Sequence, residues 1–271
     1  MKITDVKELE KIAKQARVDI IEQVYGASSG HPGSSLSCTD IFTVLYFNEM
    51  NIDPENPKME DRDRLVLSKG HSAPALYSIL AQRGFLDREE LKEFRKLGSK
   101  LQGHPDLNKV PGIDMSSGSL GQGLSAACGI ALASKLKKQK NKVYCILGDG
   151  ELQEGQVWEA AMTAGHYKLD NLCVIVDNNN LQIDGTVEDV MSPYPIDKKF
   201  ESFGFAVFKV DGHNFKNLLE VFDMIKLIKK QPVAIIANTV KGKGVSFMEN
   251  KAEWHGKAPN EEQYNIAISE L

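Results

Sequence analysis

Four short runs of apolar, largely β-branched residues constrain this chain more than any other feature: Val143-Tyr-Cys-Ile-Leu147, Leu172-Cys-Val-Ile-Val176, Phe205-Ala-Val-Phe-Lys-Val210 and Pro232-Val-Ala-Ile-Ile-Ala237. The runs are continuous rather than alternating, so both faces of each must be covered. Segments with helical character, residues 155–165 and 215–230, stand between them. Strands buried on both faces and joined by helices make a parallel sheet with helices on both sides, an α/β fold. Arg64–Ser68 reads as a further short strand.

The rest of the chain supplies the cover. Val6, Leu9, Ile12, Ala13, Ala16, Ile20 and Val24 recur at spacings of three and four, Asp5 and Glu8 are placed as a capping box, and Gly26 is the expected stop. Asp40–Met50 is apolar enough for a largely buried helix, and Ala73–Arg83 for another that closes at Gly84. Asp87 with Glu90 caps a further helix, and Leu120–Gln139 predicts a long Ala/Leu helix. No linker, repeat or low-complexity tract interrupts the pattern, so residues 1–271 are expected to form one domain.

Composition excludes several classes of function. Thirty-three Lys and Arg against 37 Asp and Glu leave a net charge of −4 with no basic stripe, which argues against nucleic acid as a partner. No apolar run approaches the ~18 residues of a membrane helix, and the charged first residues do not read as a signal peptide. Cys38, Cys128, Cys145 and Cys173 lack C-x-x-C spacing and sit in apolar surroundings, as expected of buried free thiols in a cytoplasmic protein.

Parallel sheets bind ligands beyond the carboxyl ends of their strands, so the loops after Ser68, Leu147, Val176 and Ala237 are where chemistry is expected. Gly148-Asp149-Gly150 follows one strand; alone it is a common turn dipeptide with a flanking glycine. The next strand, however, ends Asp177-Asn-Asn-Asn-Leu181, far enough on to set Asn179 beside Asp149 at the ends of adjacent strands. Carboxylate, carboxamide and main-chain carbonyl are hard donors suited to Mg²⁺ or Ca²⁺, and so few of them suit a metal shared with a phosphorylated ligand. Independently, Ser116–Leu124 opens the Ala-rich helix with glycines, and a helix start of that kind presents free N–H groups to an anion. The helix dipole is worth only ~0.3–2 kcal/mol there, so a diphosphate would need added cations.

Four of six histidines, His31, His71, His104 and His255, lie in Gly/Pro-rich loops. A lone loop histidine is ordinarily a surface residue, but four in similar loops point to a shared pocket suited to proton transfer. None has the H-x-x-x-H spacing of a zinc site, and no G-x-S-x-G elbow supports a serine hydrolase. His166 and His213 read as structural.

Taken together, S-G-H-P-G at 29–33, S-K-G-H at 68–71, G-H-P at 103–105, G-S-L-G-Q-G at 118–123, G-D-G-E at 148–151, D-N-N at 177–179 and W-H-G at 254–256 resemble, in order, the amino-terminal half of the transketolase family. The G-D-G and asparagine motif is shared by many thiamin enzymes, whereas the ordered histidine motifs are more specific to transketolases. The resemblance implies the thiamin diphosphate-binding fold of that family and a reaction moving a two-carbon ketol unit from a ketose phosphate to an aldose phosphate.

It also implies roles for individual residues. Mg²⁺ (with Ca²⁺ or Mn²⁺ as substitutes) would be held by Asp149, Asn179 and the main-chain oxygen of Leu181. Gly118, Ser119, Leu120 and Gly150 would offer backbone contacts to the cofactor, with Ser34, Lys69, His71, Lys241 and His255 completing its pocket. Many family members have Pro where Ser119 stands, a change that a backbone contact tolerates. His31, His104 and His255 would face the sugar, and Glu154 would meet a partner across an interface.

Full-length transketolases continue into a pyrimidine-binding domain, which carries the activating glutamate, and then a third domain. This sequence stops at Leu271, so the resemblance implies one subunit of a split transketolase, with the activating glutamate on a carboxy-terminal partner and a dimer of heterodimers as the assembly. A non-catalytic thiamin-binding scaffold and half of a related enzyme, such as a deoxyxylulose-phosphate synthase, remain alternatives at this stage.

Overall fold

The computed structural model describes residues 2–271. The chain opens with α1 (Val6–Gly26), capped by the Asp5 carboxylate, which accepts from the Lys7 N–H at 2.9 Å. Glu8 does not return the bond, so the expected capping box is only half made. After α1, the loop expected around S-G-H-P-G becomes a short helix, α2 (Pro32–Ser37), because Pro32 at its first position is already set for helical φ. α3 (Thr39–Val44) widens into a π-helical turn, Leu45–Glu49, so the buried helix expected over Asp40–Met50 is present but changes pitch.

Strand β1 (Arg64–Leu67) leads into α4 (Ala73–Arg83), which ends at Gly84 with φ +94°, a left-handed stop that glycine makes without strain. Asp87 and Glu90 do form a capping box, but on a 3₁₀ turn, Arg88–Glu93. α5 (Gln122–Leu136) is shorter than its Ala/Leu run, because Gly121 (φ +82°) and Lys138 (φ +58°) break it at either end. Then come β2 (Val143–Gly148), α6 (Gly155–His166) and β3 (Leu172–Asn178). A small hairpin of β4 (Leu181–Gln182) and β5 (Gly185–Thr186) runs into α7 (Val187–Met191) and α8 (Ile196–Ser202). β6 (Ala206–Asp211), α9 (Phe215–Ile225) and β7 (Val233–Asn238) follow, and α10 (Glu261–Glu270) closes the chain. The hairpin, α7 and α8 are too short to leave a periodic signal, and the weakly amphipathic α10 is marked only by a capping box, Asn260 with Gln263.

The five long strands form one wholly parallel sheet in the order β1-β2-β3-β7-β6. Alternate residues feed two separate cores. Tyr144, Ile146, Cys173, Ile175, Val233 and Ile235 pack with α1, α3, α4 and α9. Val143, Cys145, Leu147, Val174, Val176 and Ile236 pack on the other side with α5, α6 and α8. Three of the four continuous apolar runs are thus explained, since both faces of β2, β3 and β7 are dry, whereas β6 is an edge strand and is only partly buried, against expectation. All four cysteines are buried and unpaired. Among the described residues no helix is long and apolar enough to cross a membrane.

Register positions the chemistry. Gly148 pairs with Asp177, and Asn178 with Asn238, so the loops after β2, β3 and β7 leave the sheet at one level. The loop after β1 joins them.

Candidate functional site

A cleft opens where those loops gather, lined by Ser34, Lys69, His71, Leu120, Asp149 and Gly150 together with Glu151, Asn179, Leu181, Lys241 and His255. Residues separated by more than two hundred positions are brought together, as strand-end reasoning expects.

Asp149 is buried at the floor. Its Oδ1 accepts from the Gly150 N–H at 2.8 Å and its Oδ2 from the Asn180 N–H, which ties the ends of β2 and β3 together. Asn180 takes a left-handed φ of +62° to make this contact. Burial, reinforced by the nearby Asp177 charge, pushes the Asp149 carboxyl up to about 7. The Asn179 Oδ1 accepts from the Leu181 N–H at 3.1 Å, and the Leu181 carbonyl accepts from the Lys241 ammonium at 3.3 Å.

Two lysines sit beneath the cleft in different states. Lys69 and Asp177 form an ion pair closed to solvent on both sides, and the Lys69 ammonium also donates to the Ser34 carbonyl at 3.0 Å. Asp177 further accepts from Ser37 at 2.5 Å, from Thr239, and from the Asn179 amide at 3.2 Å. Burial alone would raise this carboxyl, but the Lys69 charge and these donors hold it below the usual range. Lys69 therefore has its charge already matched. Among the described residues no carboxylate bonds to Lys241; burial and the neighbouring Lys69 lower it to about 8, and it shares a 3.0 Å contact with His255 Nδ1.

Three of the four loop histidines converge. The rings of His31, His71 and His255 lie 5.0–5.3 Å apart, centre to centre. Burial and then the charge of Arg95 push His31 down to about 4, while burial and Lys241 push His255 down to about 3. Burial and then Lys69 also hold His71 well below the usual imidazole value. All three are neutral at physiological pH. His104 stands apart at the exposed rim, against the backbone of Gly118. His213 lies outside the cleft: its Nε2 accepts from the Val240 N–H at 2.8 Å and its Nδ1 contacts Asp40 at 2.7 Å, so it braces the loop that carries Lys241.

The start of α5 corrects one expectation. Its N–H groups are not all free, since Gly121 donates to Glu151 at 2.8 Å and Gly123 to the Ser68 hydroxyl at 3.2 Å. Of the preceding turn only Leu120 lines the cleft; Gly118 and Ser119, also expected at the cofactor, do not. Glu154 is exposed at the rim, packed on Gly121.

Sequence reasoning passed over Arg95, whose Nη1 donates to Ser29 at 2.8 Å and whose Nη2 approaches His31 at 3.5 Å. An arginine beside a histidine motif more than sixty residues away carries no local signature. It also passed over Gln182, whose amide nitrogen is buried at the cleft without a partner among the described residues, and Ser34 presents a hydroxyl in the same condition. Buried unpartnered polar atoms are costly, so both point to a ligand group.

A parallel α/β sheet with a buried carboxylate, carboxamide, lysine and neutral imidazoles at its strand ends defines the class: a protein built to hold a polar small molecule over the sheet's carboxyl edge. Residues 9–269 match the family model described as transketolase, thiamine diphosphate binding domain, and the chain belongs to that family. Among its relatives, an apulose-4-phosphate transketolase subunit from Phocaeicola vulgatus is 44% identical over 98% of this chain and 94% of its own length. The 6-deoxy-6-sulfo-D-fructose transketolase subunit SqwG of a Clostridium species is 43% identical over 97% and 96%. The crystal structure of transketolase from Campylobacter jejuni superposes with a TM-score of 0.93 at 36% identity, covering 98% of this chain but 43% of that one. The chain therefore spans nearly the whole of the subunit-type relatives and about two fifths of that larger transketolase.

Proposed function

We propose that this chain is the cofactor-binding subunit of a two-component transketolase, transferring a two-carbon ketol unit between sugar phosphates with thiamin diphosphate and Mg²⁺. The observation that carries the reading is Asp149, a buried carboxylate with no bonded cation among the described residues, pushed up to about 7 and lining one cleft with Asn179 and Leu181. A divalent cation there would remove the cost of that burial. Its donors would be Asp149, Asn179 and Leu181, and among the described residues no cluster of three His, Cys, Asp or Glu competes as a metal site.

The diphosphate fits the groups left over. Leu120 and Gly150 supply backbone at the cleft, with Gly118 and Ser119 in the turn just before Leu120; Ser34 and Gln182 supply polar atoms without a partner among the described residues, and Lys241 and His71 supply a cation and an imidazole. Lys69 acts from beneath through Asp177 and Ser34. When bound, the cofactor provides the nucleophilic carbon and electron sink that the chain's own side chains lack. The chain's residues orient the sugar and move protons: His255 from the cleft lining and His31 packed against it, both neutral and able to accept or donate, and His104 from the rim.

A second chain completes the site in this reading. The cleft encloses about 250 Å³, just below the roughly 300–1,000 Å³ of complete ligand pockets. Exposed Ile183 lines it, and exposed Met191 adjoins it, its carbonyl accepting from the lining residue Gln153 at 2.6 Å, an apolar rim of the kind that a partner covers. We place there a carboxy-terminal subunit carrying the activating glutamate, with Glu154 at the contact and a dimer of heterodimers as the assembly. Residues 1–271 act as a single domain of that assembly, in the cytoplasm. The test is ketose-dependent two-carbon transfer with thiamin diphosphate and Mg²⁺, using the chain alone and mixed with its candidate partner. Activity in the mixture only is expected; activity in the chain alone would refute the divided site, and cofactor binding without transfer in either would refute the assigned reaction.

A further inference from the structure

Glu151 is a buried carboxylate, 3% exposed, whose two oxygens are fully engaged. Oε1 accepts from the Ser68 hydroxyl and from the Gly121 N–H at 2.8 Å, and Oε2 accepts from the Gly148 N–H at 3.0 Å. The three donors belong to three loops: the one after β1, the turn before α5, and the end of β2. The Ser68 oxygen in turn accepts from the Gly123 N–H at 3.2 Å, so it caps a helix whose own cap residue, Gly121, has no side chain. A methyl group on Gly123 would stand 2.4 Å from the Ser68 Cβ, so these two loops touch with no room to spare.

Each bonded residue stands one to three positions from a group assigned above to the cofactor. Ser68 precedes Lys69 and His71, Gly121 follows Gly118–Leu120, and Gly148 precedes Asp149 and Gly150. We infer that Glu151 is a positioning residue that sets the spacing of the three loops of the diphosphate cradle. This deepens the reading above and rests on it. The side chain is not a candidate proton carrier, because both oxygens are occupied by donors and the group is closed to solvent. A glutamine would turn one acceptor into a donor facing another donor. An aspartate would fall one methylene short of the loops it joins. Charge-assisted bonds of this kind are roughly twice as strong as neutral ones, and three of them on one carboxylate act together.

The test compares wild type, Glu151→Gln, Ser68→Ala and the double variant. Dissociation constants for thiamin diphosphate and for inorganic pyrophosphate, both with Mg²⁺, are measured by calorimetry, with the melting temperature of each ligand-free chain alongside. Transfer by the chain mixed with its partner at saturating cofactor gives the kcat. Glu151→Gln is expected to weaken both ligands by about tenfold or more, with kcat at saturation falling by a smaller factor. Ser68→Ala should weaken both less, and the double variant should lose less than the sum, since the two residues serve one link. If Glu151→Gln is folded and binds both ligands as wild type does, the inference is overturned. If Glu151→Gln does not fold, Ser68→Ala carries the test, and wild-type affinity in that variant overturns the inference equally. If wild type binds neither ligand, the functional reading itself has failed.

Discussion

Replacing Lys69 by methionine would strand the Asp177 carboxylate, one half of an ion pair with no solvent on either side. Asp177 is 0% exposed and Lys69 1%. In the variant Asp177 would keep its bonds from Ser37, Thr239 and Asn179, so the loss reads the charge rather than the hydrogen-bond network. Removing one partner of a buried pair costs about 3–5 kcal/mol, which in a chain of this size lowers the melting temperature by roughly 6–20 °C. Asp177 is held below the usual carboxylate range, so its contribution is present above its unfolded pKa and lost as pH falls through the folded value. Lys69 is raised by Asp177 against its own burial, so its contribution holds below its unfolded pKa and is lost as pH rises through the folded value. The deficit of the variant is therefore flat from about pH 5 to about pH 9. Adding Asp177→Asn to Lys69→Met should recover part of it, because no unpaired charge remains. Calorimetric or fluorescence melting of the ligand-free chain is the assay. A melting temperature within about 2 °C of wild type, equivalent to less than about 1 kcal/mol, would refute the reasoning. With cofactor affinity lost at the same time, that result would make Lys69 a direct cofactor cation rather than a buried strut.

Three further outcomes are expected. Between its ordinary 3.8 and about 7, Asp149 binds its proton more tightly folded than unfolded, so its contribution makes the metal-free chain lose stability as pH rises through that window. Saturating Mg²⁺ with thiamin diphosphate should flatten the slope, and Asp149→Ala should abolish Mg²⁺-dependent cofactor binding; urea titrations and calorimetry at pH 5 and 8 check both. His31 and His255 should remain neutral well below pH 6, and because their folded values are depressed, their contribution to stability declines as pH drops below about 6.5; imidazole resonances that titrate near 6.5 in the folded chain would contradict this. Met191→Asp on the apolar rim should leave the melting temperature of the free chain nearly unchanged, since the side chain is 64% exposed, and should weaken association with the partner subunit in sedimentation velocity.

The sheet was legible because burial on both faces leaves an unambiguous mark, a continuous apolar run, and each strand-end loop then follows by position. Asp149 and Asn179 could be paired on spacing alone, since one helix and one strand separate them. The capping box at Asp87 was equally local and was read correctly in place, although the helix it caps is a 3₁₀ turn. What local reading missed has a common cause. β4 and β5 are two residues each and are fixed by their own pairing and by the bonds of Asn179 and Asn180, which no periodicity records. Arg95 and the clamp at Glu151 reach partners 30 to 83 residues away, and Gln182 is marked only by the partner it lacks.

The sequence by itself determined the layered α/β architecture and the loops that hold the chemistry, because hydrophobic patterning and strand ends are one-dimensional properties. Only the tertiary structure decided the state of each group. It matched Lys69 with Asp177, left Lys241 depressed and Asp149 raised, gathered three histidines while leaving His104 at the rim, and spent part of the α5 terminus on Glu151 and Ser68. Charge and hydrogen-bond capacity depend on which groups meet and how much water reaches them, and that is settled only when distant segments close on one another.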